Sequence, residues 1–506
     1  MKGKYGINSA IRAEKKDEAM IKSNEWSRKI SPNKDRRMAS LLASAFVPLI
    51  TISLAVLLGS VLGTLDTSTA ALIIGALLLI LVLAHQQYEL AVGMIVVAHI
   101  YIDWFLGREI VGTTVAVGLL FLLFIVRSSH HQWVTPSVLW LWGLFLVITI
   151  PPTIQGALGS SYNLAFYYPN TIFGALVMFW LGLLVARDKI HLRTLFQVLA
   201  VLGTLLALHT IIQTRTGIVL FDTSNFDAYL AKVSNFGLGS SDVHRAGSFL
   251  ENPDWNGTFF AVMLFLPLGL FAETTSFQQK CLYIGEVLLM STALFFTYSI
   301  GAWIGAFAGI LAFILFAGRG YYRILVPVLM VIIGAMLVIV FPTEINAQSQ
   351  HLSNPVEISL RSGAWQTAMN VIKAFPLTGI GLGLTNYLQR ADPYRVPAQY
   401  LPLAHPHNSY LEWGAMAGLP VLIVFLALLF YALWQAWRNW IQVDKGTRSL
   451  ISGGMAAVFA LSVNSLSING WTLPPLAAIG WLILGAMASP LITRKQPGEG
   501  TDRKNP

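Results

Sequence analysis

Cysteine and charged residues are both scarce in this 506-residue chain. Only 11% of the residues are charged, and the single cysteine, Cys281, excludes an internal disulfide and any cysteine-based metal site. Hydrophobic residues make up 55% of the chain and recur in long runs. A soluble protein of this length could not bury so much apolar surface, whereas membrane-spanning helices of about 20 residues expose it to lipid. The composition therefore predicts an all-α polytopic membrane protein that contacts the lipid bilayer.

The apolar runs predict about 14 membrane-spanning helices, with about 12 as the lower bound. Their approximate positions are residues 40–63, 69–84, 88–106, 111–127, 135–152, 170–186, 192–213, 254–272, 281–297, 300–317, 323–341, 409–437, 449–465 and 473–491.

The net charge of +9 follows the membrane and does not indicate a nucleic-acid partner. If the N-terminus is cytoplasmic, most of the 33 Lys and Arg fall in cytoplasmic segments, as the positive-inside rule requires. We therefore expect a multi-pass protein of the inner (cytoplasmic) membrane with both termini in the cytoplasm. The predicted order is a basic tail, an N-terminal membrane bundle, an outer loop, central membrane helices, a second outer loop, C-terminal membrane helices and a tail, at residues 1–37, 38–213, 214–253, 254–341, 342–408, 409–492 and 493–506.

Both outer loops carry aromatic residues and are expected to fold against the helices. In the second loop, apolar residues recur at helical spacing from Ile358 to Ile372, including Trp365, which predicts an amphipathic helix at the membrane interface. The run Gly379-Ile-Gly381-Leu-Gly383 follows it. No strand–helix unit surrounds these glycines, so the pattern favours a turn over a nucleotide-binding loop.

A polar cluster ends the second loop, in Ala404-His405-Pro-His407-Asn408-Ser409-Tyr-Leu-Glu412. Ser409-x-x-Glu412 before an apolar run is typical of a capping box, which places His407 and Asn408 at the positive end of a helix. That end disfavours imidazolium and keeps His407 neutral, so that it can accept a proton near pH 7. The alternative is a histidine that only caps the helix or bonds within the loop.

Two arginines are candidate anion ligands. The guanidinium of Arg361 can grip a diphosphate through two parallel hydrogen bonds. Arg245 precedes a helix start that Asn252 or Asp254 can cap, beside Pro253. The alternatives are an arginine that snorkels to lipid headgroups and a solvated loop charge.

These motifs and their spacing resemble the O-antigen ligase and polymerase family. The resemblance rests on Arg361-Ser-Gly-Ala-Trp365, on Phe375-Pro-Leu-Thr-Gly-Ile-Gly-Leu-Gly383 and on His407-Asn-Ser-Tyr-Leu-Glu412 with Gly418-Leu419. Arg245-Ala-Gly-Ser-Phe with Asn252-Pro253, and the last pair of spans, also fit. The similarity covers about residues 240–490.

The resemblance implies a GT-C-like membrane bundle that transfers a glycan without metal or other cofactor. The donor would be a polyprenyl diphosphate-linked glycan, and a glycan or glycolipid would be the acceptor. His407 would be the catalytic base and Arg361 would bind the diphosphate. The supporting residues would be His405, Asn408, Glu412, Asn252 and Trp365.

One departure from the family pattern concerns the second phosphate ligand. The family often has a Ser/Thr-Arg pair where this chain reads Tyr298-Ser299-Ile300-Gly301, so the arginine is absent. Arg245 is the expected substitute.

Three other interpretations stay open at this level. A repeat-unit polymerase of the same family differs only in its acceptor. A small-anion transporter would gather its polar residues near the middle of the membrane, whereas this chain places them in outer loops and at helix starts. An inactive relative would account for Ile300.

We predict that the second outer loop, residues 342–408, faces the cell exterior or periplasm. A Ser353→Cys change in a Cys281→Ser background should react with a membrane-impermeant maleimide in intact cells. A cysteine introduced at Lys15 in the same background is the matched cytoplasmic control and should react only after lysis. Protection of the Ser353→Cys thiol in intact cells would reverse the predicted orientation.

Overall fold

The computed structural model describes residues 89–90, 92–93, 96, 138–159, 167–216, 245–250, 252–317, 322–343, 346, 355–396 and 405–493. The chain divides into two compact units, Met1–Thr67 and Ser68–Pro506. All of the described residues belong to the second unit. The predicted tail 1–37 and the predicted spans 40–63, 69–84 and 111–127 lie outside the described residues, as do nearly all of the predicted span 88–106 and all but the first residue of the predicted tail 493–506.

The described residues form helices and connecting turns, with no strand among them. A π-helix, Tyr167–Phe173, leads directly into the second α-helix, and short 3-10 helices cover Ser248–Leu250 and Asp392–Tyr394. The α-helices are α1 Val138–Ala157, α2 Gly174–Val185, α3 Lys189–Thr216, α4 Pro253–Met263, α5 Phe265–Glu273, α6 Phe277–Phe296, α7 Ile300–Ala317, α8 Tyr322–Val340, α9 Pro355–Ala374, α10 Leu384–Arg390, α11 Ser409–Ala417, α12 Leu419–Gln442, α13 Lys445–Asn464 and α14 Pro474–Ala488.

Seven helical segments of the described part are long and apolar enough to cross a membrane. Helices α4 and α5 together form one of them, Pro253–Glu273, which is interrupted at Leu264. The others are α1, α3, α6, α7, α12 and α13, and two shorter apolar helices cover Asn170–Val185 and Pro474–Ala488. The all-α membrane class is confirmed.

The predicted continuous span 409–437 is wrong, because the chain breaks at Gly418. Gly418 has φ +89° and ends α11, and Pro420 lies in the first turn of α12. A Cβ at Gly418 would come within 2.4 Å of the Leu377 carbonyl oxygen, so the break also allows a close approach to the turn after α9. The helix that follows the polar cluster is therefore a short separate element, and α12 forms the span.

Large aromatic side chains fill the interior between α1, α2, α12 and α14. The ring centroids of Trp142 and Trp481 are 4.8 Å apart, and those of Trp471 and Trp481 are 5.0 Å apart. Phe425 and Phe179 complete the contacts with these rings. These rings join α12 and α14 to α1 and α2, and this packing forms part of the support for the polar residues described below.

The glycine run Gly379–Gly383 forms a turn packed on other helices. All three of its glycines have positive φ. The backbone N–H groups of Ile380 and Gly381 donate to the last turn of α11, and the N–H of Leu382 donates to the carbonyl of Pro152 in α1. These N–H groups are already hydrogen-bonded, which agrees with a structural turn and argues against a phosphate cradle.

The helix predicted within the second outer loop corresponds to α9, which packs against α11. Its buried face comprises small and branched residues such as Ala368, Val371 and Ile372. Trp365 and Met369 are 37% and 44% exposed and lie on the face predicted to rest at the membrane interface.

Helices α2 and α14 approach so closely that a glycine is required at their contact. A Cβ at Gly485 would lie 2.0 Å from the carbonyl oxygen of Phe179. We expect Gly485→Ala to destabilise the protein by roughly 1–3 kcal/mol, the usual range for overpacking, seen as a lower melting temperature in detergent. Gly143→Ala is the matched control, because a Cβ there meets nothing within 4 Å. Equal melting temperatures for the two variants would contradict the close contact.

Candidate functional site

His407 lies immediately before α11, whose N-cap is Asn408. The Asn408 side chain accepts hydrogen bonds of 3.0 Å from the N–H groups of Tyr410 and Leu411. The predicted capping box is therefore wrong in its residues. Ser409 is fully buried and bonds to residues outside its own helix. Glu412 is 2% exposed, and its Oε2 has no hydrogen-bond partner in the described part of the chain.

The turn between α13 and α14 anchors the start of α11. The N–H of Ser409 donates to the carbonyls of Ser465 and Ile468, at 2.9 and 3.1 Å. Asn408 Nδ2 donates to the carbonyl of Leu466 at 2.9 Å, and the N–H of Trp471 donates to Ser409 Oγ at 3.0 Å. No role for this turn was predicted from the sequence. Its only signal is a polar run, Asn464-Ser-Leu-Ser-Ile-Asn-Gly470, between two spans.

His407 is paired with His405 in a tight local arrangement. The N–H of His407 donates to His405 Nδ1 at 3.2 Å, and the two ring centroids are 4.2 Å apart. Burial lowers the pKa of His405 to about 3, and the electrostatic interaction with the neighbouring His407 ring acts in the same direction. His405 is therefore neutral at physiological pH, and because its Nδ1 accepts a hydrogen bond, its Nε2 carries the proton.

Arg361 reaches the same turn from α9. Its NH1 donates to the carbonyl of Ser467 at 3.5 Å, one residue after the carbonyl that Asn408 binds. Its NH2 lies 3.8 Å from Asp254 Oδ2, and its side chain is 34% exposed. Arg361 and the start of α11 are thus joined through consecutive residues of one turn.

Arg245 pairs with the other carboxylate oxygen of Asp254. Its NH2 donates to Asp254 Oδ1 at 2.6 Å, and its Nε donates to the carbonyl of Thr297 at 3.0 Å. Only 10% of the Arg245 side chain is exposed. Asn252 is the N-cap of α4 and accepts from the N–H of Asp254 at 2.8 Å, so the prediction that this helix start is capped there is confirmed.

Asp254 pairs with both arginines, a role that was not predicted from the sequence. It was considered only as a possible cap, yet its two oxygens face Arg245 and Arg361, which are 116 positions apart in the chain. Ser299, in the segment where the family arginine is absent, also hydrogen-bonds the Asp254 side chain. The structure therefore brings Arg245 and Arg361 together on one carboxylate.

Buried hydrogen bonds hold the loop that carries Arg245, and we call the three residues that form them, His209, Gln213 and Ser248, the polar latch. His209 Nδ1 lies 2.6 Å from Ser248 Oγ, and the N–H of Ser248 donates to Gln213 Oε1 at 2.8 Å. The His209 ring also stacks on Phe249, with centroids 4.0 Å apart. The membrane helix α3 therefore fixes the backbone three residues after Arg245.

Left-handed backbone is concentrated around these groups. The described non-glycine residues with positive φ are Ser248, Tyr298 and His407, at +51°, +51° and +50°. Ser248 follows Arg245, Tyr298 follows the carbonyl that Arg245 binds, and His407 is the candidate base. Such conformations cost roughly 1–3 kcal/mol each and are found mostly where function requires a fixed geometry.

Trp365 lies on the same helix as Arg361. Trp365 lies one helical turn after Arg361 on α9 and is partly exposed, so it borders the arginine. Within the described residues, no three His, Cys, Asp or Glu side chains are grouped as a metal site would require.

The left-handed backbone of His407 can be tested by stability. Alanine at this position keeps a Cβ and its clash, whereas glycine removes it. We expect His407→Gly to be more stable than His407→Ala by about 1 kcal/mol, measured by melting temperature in detergent.

His191 provides the matched control, because it is a partly exposed histidine in the right-handed first turns of α3. There the order should reverse, with glycine less stable than alanine by roughly 0.5–1 kcal/mol. The same order at both positions would argue against the left-handed conformation of His407.

Comparison with known proteins bears on the segment that carries two of these groups. Residues 287–426 match the family model described as O-Antigen ligase, and no curated protein matches the chain. The match includes Arg361 and His407 and excludes Arg245 and Asp254. It is narrower than the 240–490 predicted from the motifs, yet it is centred on the same helices. The resemblance to the O-antigen ligase and polymerase family, a family of glycosyltransferase-like membrane proteins, is thereby confirmed over residues 287–426, which are similar to the family's O-antigen ligase model.

Proposed function

We propose that this protein is an inverting membrane glycosyltransferase of the O-antigen ligase type. It transfers a glycan from a polyprenyl diphosphate carrier to a hydroxyl of a glycan or glycolipid acceptor, on the outer side of the cytoplasmic membrane. The observation that carries the proposal is the meeting of Arg361 with Arg245 on Asp254, next to the turn that anchors the start of α11.

Charge supports a diphosphate as the group bound there. Two guanidiniums and one carboxylate leave one net positive charge, at a place that is partly shielded from water. Arginine is well suited to phosphate because its planar fork donates two parallel hydrogen bonds and stays charged at every physiological pH. Such cations stabilise the charge that develops on a departing diphosphate. Arg361, the more exposed of the two, is the first ligand, and Arg245 is the second.

His407 has the chemistry of a general base in this reaction. It accepts the proton of the acceptor hydroxyl while the acceptor oxygen bonds to the anomeric carbon. The bond from that carbon to the phosphate oxygen breaks, and the diphosphate leaves with the electron pair. Attack opposite the leaving group inverts the anomeric carbon. The neutral His405 accepts the His407 N–H and so orients the backbone that carries the base.

We expect His407→Asn to lower the rate of glycan transfer by about 100-fold or more, because positioned bases contribute about 10²–10⁴-fold. Asparagine tolerates the left-handed backbone, so folding should be retained. The rate is measured with purified protein in nanodiscs and a lipid-linked glycan donor. His191→Asn is the control and should keep full activity. A His407→Asn rate above about a tenth of the wild type would contradict the role of His407.

The proposed phosphate ligand is tested by a change that keeps its charge. Arg361→Lys should lower transfer, because an ammonium cannot reproduce the two-pronged grip on phosphate. Arg390→Lys is the control, since Arg390 donates one hydrogen bond of 3.1 Å to the carbonyl of Ile380, which an ammonium can also donate. Equal activity of the two variants would remove Arg361 from the site.

The glycan product of the reaction distinguishes a ligase from a polymerase. Transfer to an added glycolipid or glycan acceptor is the result expected of a ligase. Growth of the glycan on the lipid carrier, with donor alone, would identify the polymerase alternative.

A further inference from the structure

The two arginines that meet on Asp254 are held unequally. The contacts of Arg245, at 2.6 and 3.0 Å, have ordinary hydrogen-bond lengths, and its side chain is 10% exposed. The contacts of Arg361, at 3.8 and 3.5 Å, are longer than ordinary hydrogen bonds, and its side chain is 34% exposed. Arg245 is thus fixed in place, whereas small movements can exchange the partners of Arg361.

Asp254 itself is firmly positioned. Its N–H donates to the Asn252 side chain at 2.8 Å, and its carbonyl accepts from Thr258 Oγ1 at 2.6 Å. It also lies in the first turn of α4, where the helix dipole favours a negative charge. The carboxylate is therefore a stationary anion between one tightly held and one loosely held cation.

A carboxylate and a phosphate bind guanidinium with the same fork geometry. An incoming phosphate must therefore compete with Asp254 Oδ2 for Arg361. It does not need to compete for the shorter contact that Arg245 makes with Oδ1.

We propose that Asp254 is an internal counter-anion that a diphosphate displaces from Arg361 alone. Asp254 is in this respect a positioning residue, which keeps Arg361 within reach and lowers the affinity for diphosphate so that the released carrier can leave. This inference rests on the proposed function, because it requires Arg361 to bind the diphosphate.

The Asp254→Asn variant separates charge from shape. The amide keeps an acceptor oxygen for Arg245 but removes the competing negative charge, so that the net charge of the cluster rises from +1 to +2. The affinity for diphosphate should then rise about tenfold, since a unit charge at this distance acts strongly in a partly shielded site. Both KM and kcat for the lipid-linked donor should fall, because the donor binds more tightly and the carrier leaves more slowly.

The direct test uses inorganic pyrophosphate as the probe and isothermal titration calorimetry on the full chain in nanodiscs. Asp254→Asn should lower the Kd about tenfold, and Arg361→Ala should raise it. Asp392→Asn is the matched control, because Asp392 also pairs with an arginine: its Oδ1 lies 3.2 Å from Arg395 NH2. This pair lies in the segment whose Tyr394 carbonyl accepts a hydrogen bond from Asn370, in the C-terminal half of α9. Its Kd should equal that of the wild type.

The outcomes distinguish this inference from the function on which it rests. An unchanged or higher Kd in Asp254→Asn, with weakened binding in Arg361→Ala, would overturn the displacement and leave the diphosphate ligand intact. Equal tightening in Asp254→Asn and Asp392→Asn would overturn it as a general charge effect. No binding by the wild type, or unchanged binding in Arg361→Ala, would contradict the proposed diphosphate site itself.

A second measurement needs no variant. A cryo-EM structure of the wild type with pyrophosphate should show Arg361 bonded to phosphate and separated from Asp254, with the Arg245 contact retained. An unchanged Arg361 contact, or departure of Arg245 from Asp254, would overturn the proposal.

Discussion

The carboxylate of Asp254, placed between the guanidiniums of Arg245 and Arg361, is the interaction on which the polar cluster depends. Two like charges brought this close would repel, and a side chain as buried as that of Arg245 is costly without a counter-charge. Removing one partner of a buried ion pair typically costs about 3–5 kcal/mol. Asp254 therefore makes it possible for two cations to occupy one place at the end of a membrane helix, which is the requirement for gripping a diphosphate.

The turn at residues 465–468 connects this ion cluster to the start of α11, next to the proposed base. Its carbonyls bind Asn408, Ser409 and Arg361, so the start of α11 and the loosely held arginine share one rigid support. Because these bonds use backbone groups, their geometry follows from how α13 and α14 pack. The position of α14 depends in turn on aromatic contacts of Trp481 and on its close approach to α2 at Gly485. Helix packing and the positions of the proposed catalytic groups are thus coupled through ordinary hydrogen bonds.

The left-handed backbone at Ser248, Tyr298 and His407 lowers the free energy of unfolding. Each residue adjoins a group of the proposed site, and each conformation is unfavourable for a residue with a Cβ. The surrounding latch of His209, Ser248 and Gln213 compensates for part of that strain by satisfying buried polar groups. A site held in this way keeps its geometry before substrate binds, which is how positioned bases and cations contribute most to a rate.

The sequence by itself determined the all-helical membrane class and a helix start capped by Asn252 or Asp254, because these depend on local composition and periodicity. The spacing of its motifs predicted Arg361 and His407 as site residues. Only the tertiary structure decided that Asn408 caps α11, that Gly418 divides the predicted span 409–437, and that Asp254 joins Arg245 to Arg361. The reason is physical. Capping and charge pairing depend on which groups meet in space, and residues 116 positions apart carry no local signal of that meeting.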